Sequence, residues 1–291
     1  MPIDKLIDIL VPVTLFEMMA TLGLGVAAQQ VMAVARNWSL LGRAGIANYA
    51  LVPVCAVILL LLFHPPAMIA AGFLIAAACP GAPYGPPFTA LAKGDVSVAI
   101  GLMVVLAGSS AILSPVVLHL TLPLASGKPP LDINVFKIGS TLLVTQLLPL
   151  GAGMAIRELY PRLANTLLKP GKYLSIVLNL VVFALILSVH YHVLLRIRPV
   201  GFVGMAVLAL ASVAFGWVLG GGHGGDRTAL AFLTGVRNAG VSLVIATSSF
   251  PGTATVTATL AYALFQTIFL ALLAASWTRW RRRTSIRTVK S

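Results

Sequence analysis

The chain has 291 residues and a formal net charge of +13, is 59% hydrophobic and only 9% charged, and has a mean hydropathy of +0.99. That composition excludes a soluble globular domain and leaves one all-α domain in a bilayer. The positive charge would suggest nucleic acid in a soluble protein, but here Lys and Arg fall between apolar runs and in the tail at 279–290, so they report topology and no nucleic-acid partner is expected.

Nine hydrophobic segments follow in chain order, at about 7–34, 39–63, 67–92, 95–122, 134–159, 172–195, 199–220, 227–250 and 253–277. Each is long enough to span a hydrocarbon core of about 30 Å at about 1.5 Å per residue. The first lacks a basic start and a small-residue cleavage site, so it reads as a span and not as a removed signal. His64, Pro65 and Pro66 end the second, Lys93, Gly94 and Asp95 part the third from the fourth, and 126–132 makes the central connection. The stretch 161–172 reads as a basic loop. The glycines at 220–225 read as a flexible turn, without the lysine and strand of a phosphate loop. Cys55 and Cys79 have no metal-ligand spacing, so neither a metal site nor a disulfide is expected.

Nine spans place the termini on opposite sides, and the arginine-rich run at 279–283 places the C-terminus in the cytoplasm. Arg36, Arg43, Lys93, Arg157, Arg162, Lys169, Lys172 and Arg227 then share the cytoplasmic side with the tail, while Lys5, Lys128, Lys137, Arg196 and Arg198 lie outside. The expected location is the plasma membrane, the inner membrane of a bacterium. Residues 279–291 form a basic tail that anchors topology and meets anionic lipid of the bilayer.

Two segments cannot be continuous helices. The third carries prolines at 80, 83, 86 and 87, and the eighth is interrupted at 234–240 by Gly235, Arg237, Asn238 and Gly240. Unwound backbone at that depth is tolerated only where it lines a cavity or is buried in protein. The breaks correspond if a first repeat of four spans (about 7–122) has lost its opening helix and a second of five (about 134–277) has not. That is an inverted repeat with two discontinuous helices, which are expected to cross near the membrane midplane.

The run 79–105 resembles the signature of the sodium/bile acid symporter family. Cys79, Pro80 and Gly81 match its opening, and Leu91, Ala92, Lys93, Gly94 and Asp95 match its later element. Gly235, Asn238 and Gly240 match its second broken motif. The glycine-leucine element at 23–26, and Asn48 with Pro53, resemble further elements. The resemblance implies crossed broken helices in a core domain, packed against a smaller panel of helices, with alternating access between them. It also implies two sodium ions at the crossing, and this chain departs from most of their side-chain ligands. Gly85 and Pro86 replace a Ser-Asn pair, Leu233 an acidic residue, Arg237 a glutamine, and Ala99 and Met103 two hydroxyl positions. Asn48 remains as a substitute for a glutamine ligand, so sodium use is uncertain and no other cofactor is expected.

An arginine within a span costs about 2.5–3.5 kcal/mol on insertion scales and faces a partner or a wet cavity. Arg237 either binds an anionic group of a substrate or stands in for the missing sodium charge, and the two readings are compatible. Glu17, deep in the first span, either pairs with Arg237, couples transport to protons, or is simply neutral. Tyr84 and Thr234 offer hydroxyls to a ligand. The expected function is a secondary transporter of a small organic anion that does not use the usual sodium sites. The alternatives are a sodium-coupled symporter with backbone ligands, or a receptor-like membrane protein of the same fold. No catalytic constellation suggests an enzyme.

Overall fold

A computed structural model describes residues 3–125, 131, 133–195, 197, 199–221 and 224–288. Most of the central connection expected at 126–132, including Lys128, lies outside the described residues. So do Arg196, Arg198, residues 222–223 of the glycine turn, and the side chains of the basic tail from Arg279 onward.

The regular elements among the described residues are all helices: α1 (Ile3–Gly25), α2 (Ala28–Ala35), α3 (Trp38–Phe63), α4 (Ala67–Ala77), α5 (Gly85–Leu91) and α6 (Val96–Ala125), then α7 (Val135–Leu159), α8 (Pro161–Leu195), α9 (Pro199–Leu219), α10 (Gly224–Gly235), α11 (Ala239–Ser249) and α12 (Ala254–Thr288). Among the described residues eight spans, with α10 and α11 taken as one, are long and apolar enough to cross a bilayer. The ninth expected segment is the pair α4 and α5, each too short to cross alone. The chain is thus a polytopic all-α membrane protein.

Three boundaries differ from those read in the sequence. The segment expected at 7–34 is two helices, because the chain turns extended at Ala27 (ψ 135°) and α2 starts anew, with Gln30 reaching back to the Ala27 amide. The basic stretch at 161–172 is no loop: Pro161 opens α8, and the Leu, Ala and Lys residues that follow are helix formers. At 35 residues, α8 is about 52 Å long, well beyond a hydrocarbon core of about 30 Å. The backbone of the basic tail continues α12 as far as Thr288.

α3 and α7 each contain a π-helical stretch, Ile46–Leu51 and Leu143–Leu147. Both have the same cause. Pro53 and Pro149 follow two residues later and have no N–H to give, so the ladder slips to a five-residue bond, from Val52 to Ala47 and from Leu148 to Leu143. Each slip turns one amide, Asn48 or Gln146, into a fully buried position.

α1, α7 and α8 pack on one another as a group and meet the remaining helices through α6, α11 and α12. α1 and α7 approach back to back at Gly23 and Gly153, and a Cβ on Gly153 would lie 2.2 Å from the Ala20 carbonyl. The obstacle is backbone and cannot swing aside. Gly153→Val should therefore destabilise the protein by about 1–3 kcal/mol or more, read as a lower melting temperature in detergent, whereas the same change at Gly151, which has open space around it, should not. Among the other helices, α4 packs on α12 through Gly72, and α10 packs on α6. The half-helix before each break, α4 or α10, thus lies on the long helix that follows the other break.

Candidate functional site

The site is built by two interruptions. In the first, α4 ends at Ala77 and α5 begins at Gly85, with Pro86 and Pro87 in its first turn, where a missing N–H is harmless. Between them Gly81 sits at φ 81°, and a Cβ there would lie 2.3 Å from the Ala107 amide nitrogen on α6. Only glycine suits both the conformation and the approach. In the second, α10 ends at Gly235 and α11 starts at Ala239, so the gap is narrower than the sequence suggested.

Four carbonyls at the first break take their donors from elsewhere in the fold, while Ala82 O accepts locally from the Gly85 amide (3.0 Å). Ala77 O accepts from Arg237 Nη1 (3.3 Å), Ala78 O from Ser114 Oγ (2.7 Å), Cys79 O from the Asn238 amide (2.8 Å) and Gly81 O from Asn238 Nδ2 (3.1 Å). Three of these four donors come from the second break, so the two interruptions are bonded directly to one another. Asn238 also caps α11, its Oδ1 accepting from the Val241 amide at 3.2 Å. One side chain therefore starts a half-helix and ties it to the opposite break.

Arg237 is 1% exposed. Its Nη1 donates to Ala77 O at the end of α4, and its Nη2 donates to Thr234 O at the end of α10. Helix C-termini carry partial negative charge on their unpaired carbonyls. The guanidinium therefore bridges two negative helix ends, and its Nε is without a partner. Its backbone is held as firmly: the Arg237 N–H donates to Gln266 Oε1 (3.0 Å), and Gln266 Nε2 donates to Arg237 O (2.8 Å).

The other expected residues are distributed around this crossing. Thr234 is buried, and its hydroxyl accepts from Asn48 Nδ2 at 3.2 Å. Asn48 Nδ2 also donates to Ala44 O, while its Oδ1 is buried without a partner. Cys79 is wholly buried. Gly85 is covered by Leu233, whose Cδ2 stands 2.3 Å from where a Cβ on Gly85 would be. Gly240 lies under Met18 and Leu15 of α1, where α1 meets α11. Tyr84 is 41% exposed, and its carbonyl accepts from the Phe88 amide (3.2 Å). Glu17 is not brought to Arg237. Its carboxylate accepts from the hydroxyls of Thr21 (2.8 Å) and Ser175 (2.7 Å) on the seam between α1 and α8.

Three residues of the crossing were not read from the sequence: Gln266, Ser114 and Gln146. Gln146 Nε2 donates to Ala107 O (2.5 Å) and Ser110 Oγ (3.0 Å), steadying the α6 turn that carries Ala107 against Gly81. Both glutamines are isolated amides in apolar runs, a signal as visible as that of Arg237.

A sequence model described as the Sodium Bile acid symporter family matches residues 12–197. No curated protein matches the chain. The family match takes in the first break and ends before the second, so Arg237, Asn238 and Gln266 lie beyond it.

Proposed function

The chain belongs to the sodium bile acid symporter family, and we propose that it is a secondary carrier of a small organic anion in which Arg237 serves as a resident cation in place of bound sodium. The carrying observation is the Arg237 guanidinium bridging the carbonyl ends of α4 and α10. A sodium ion at a helix crossing neutralises those ends with hard oxygen ligands around it; here a covalently attached cation already does so.

Most of the side chains at the implied sodium sites do not suit the ion, and Asn48 Oδ1 is the one implied side-chain ligand that remains. Where the family resemblance implies oxygen ligands, Leu233 lies against Gly85, and Ala99, Met103 and Leu233 are all buried in one apolar cluster. Those side chains offer a hard cation nothing. Burial and its two carbonyl partners also turn Arg237 away from the role of substrate anchor in this conformation. The anion is then taken up between the group of α1, α7 and α8 and the crossed helices, by alternating access, in a plasma or bacterial inner membrane.

The test is the melting temperature of the purified protein against a panel of organic anions, each in sodium and in potassium at equal ionic strength. A ligand of the folded state raises it by mass action, about 2.7 kcal/mol at a hundredfold excess over Kd. Stabilisation by at least one carboxylate or sulfonate, equal in the two salts, is the expected result. Stabilisation that requires sodium would overturn the sodium-independent reading, and none by any anion would overturn the carrier reading.

A further inference from the structure

Glu17 takes no part in the crossing, and its surroundings make it a site of a different kind. It is half-buried in a membrane-spanning helix, and each of its carboxylate oxygens accepts one hydroxyl bond, from Thr21 Oγ1 and from Ser175 Oγ. Among the described residues no cation completes the group. α11 and the π-helical stretch of α7, which pack on α1, carry no titratable side chain. α8 offers Lys169, Lys172 and Tyr173 toward the Gly25 end of α1; α7 offers Lys137 at its start and Arg157 and Glu158 at its far end; α1 itself has Lys5 and Asp8 near its start. None of these forms an ion pair with Glu17, and Arg237 is committed to Ala77 and Thr234. An ionisable side chain within a span is by default a functional site, and this one has hydroxyls and no cation as its partners.

The same residues lead to the crossing. Ser175 O accepts from Asn179 Nδ2 (2.8 Å), and that Nδ2 also meets Met18 Sδ (3.7 Å). Met18 in turn lies over Gly240, its Cε 3.0 Å from where a Cβ would be, two residues past Asn238. Met18, with Leu15 Cδ1 at 3.1 Å from the same point, thus bears on the start of α11.

We propose that Glu17 is the coupling site of the carrier, a proton-binding carboxyl whose charge state is passed through Ser175, Asn179 and Met18 to the contact between α1 and α11. The inference rests on the carrier reading and names its coupling ion. Ionised, the carboxylate accepts from both hydroxyls. On taking up one proton from the aqueous phase it becomes a donor on one oxygen, so one hydroxyl has to turn round or let go. The seam between α1 and α8 is then held differently, and Met18 moves against Gly240. One proton carried with a monovalent organic anion makes the cycle electroneutral.

The test needs no substrate. Nitroxide-bearing amino acids at 180 on α8 and 210 on α9, both exposed positions, report the distance between the two helix groups by pulsed electron resonance, in lipid nanodiscs at acid and at alkaline pH. The parent protein is expected to shift its distance distribution with pH, and Glu17→Gln, a mimic of the protonated state, to hold the acid distribution at both. A parent that does not respond to pH, or a Glu17→Gln that still does, would overturn the proposal. Ser175→Ala keeps the carboxyl and is expected to respond with a displaced midpoint; an unchanged midpoint would remove the hydroxyl link on which the proposal stands. Because no anion is present, these outcomes are separate from a failed carrier reading, which shows as an absence of anion stabilisation.

Discussion

Arg237→Ala is expected to be among the most damaging single substitutions in the protein. Ala77 O and Thr234 O would lose their donors in a region closed to water, and each bare buried carbonyl costs about 1–3 kcal/mol. The mutual repulsion of two helix ends adds to this. Arg237→Lys should be intermediate, because an ammonium is a single point of donation and does not match a fork set between two helices. Melting curves and the yield of monodisperse protein measure both. A melting temperature that Arg237→Ala leaves unchanged would show the arginine to be incidental.

The second large effect falls on Asn238, where two substitutions of similar size should separate two roles. Asn238→Asp keeps an oxygen to cap α11 but replaces the Nδ2 donor with an acceptor facing Gly81 O. Asn238→Ala removes both, losing about 1 kcal/mol of cap and the donor to Gly81. The aspartate places a charge against a carbonyl in a buried site, so it should be the worse of the pair, by about 1–3 kcal/mol. If the alanine proves worse, the cap and not the tie between the breaks is what Asn238 supplies. Melting temperatures of the two variants, compared in the same detergent, decide it.

Much of the architecture was legible because bilayers impose few choices. Runs of about 20 apolar residues are helices, and prolines at 80, 83, 86 and 87 cannot sit in one. Leu233, Gly85, Ala99 and Met103 stand where the family resemblance implies oxygen-bearing residues, and Leu233 lies against Gly85. What the sequence left open was direction. The choice for Arg237 between a ligand and the protein's own carbonyls depends on which side of a short unwound segment faces inward, and no local pattern encodes that. Glu17 is the same case: only the register of α1 against α8 places Ser175 beside it and leaves Arg237 to the crossing. The end of α1 at Gly25 and the early start of α8 were missed because apolar and helix-forming residues run on across both boundaries.

Three of the donors to the first break come from residues 237 and 238, so the crossing is organised by the second break more than by the first. The one cation among those donors is Arg237, and sodium-independent transport stands on it. Its most direct test is equilibrium binding of radiolabelled sodium to the purified parent protein, with potassium as competitor at constant ionic strength. A resident guanidinium on the carbonyls of α4 and α10 predicts no saturable sodium binding with or without an organic anion. Saturable binding that potassium does not displace would contradict it, and would mean that sodium is held at the crossing beside Arg237.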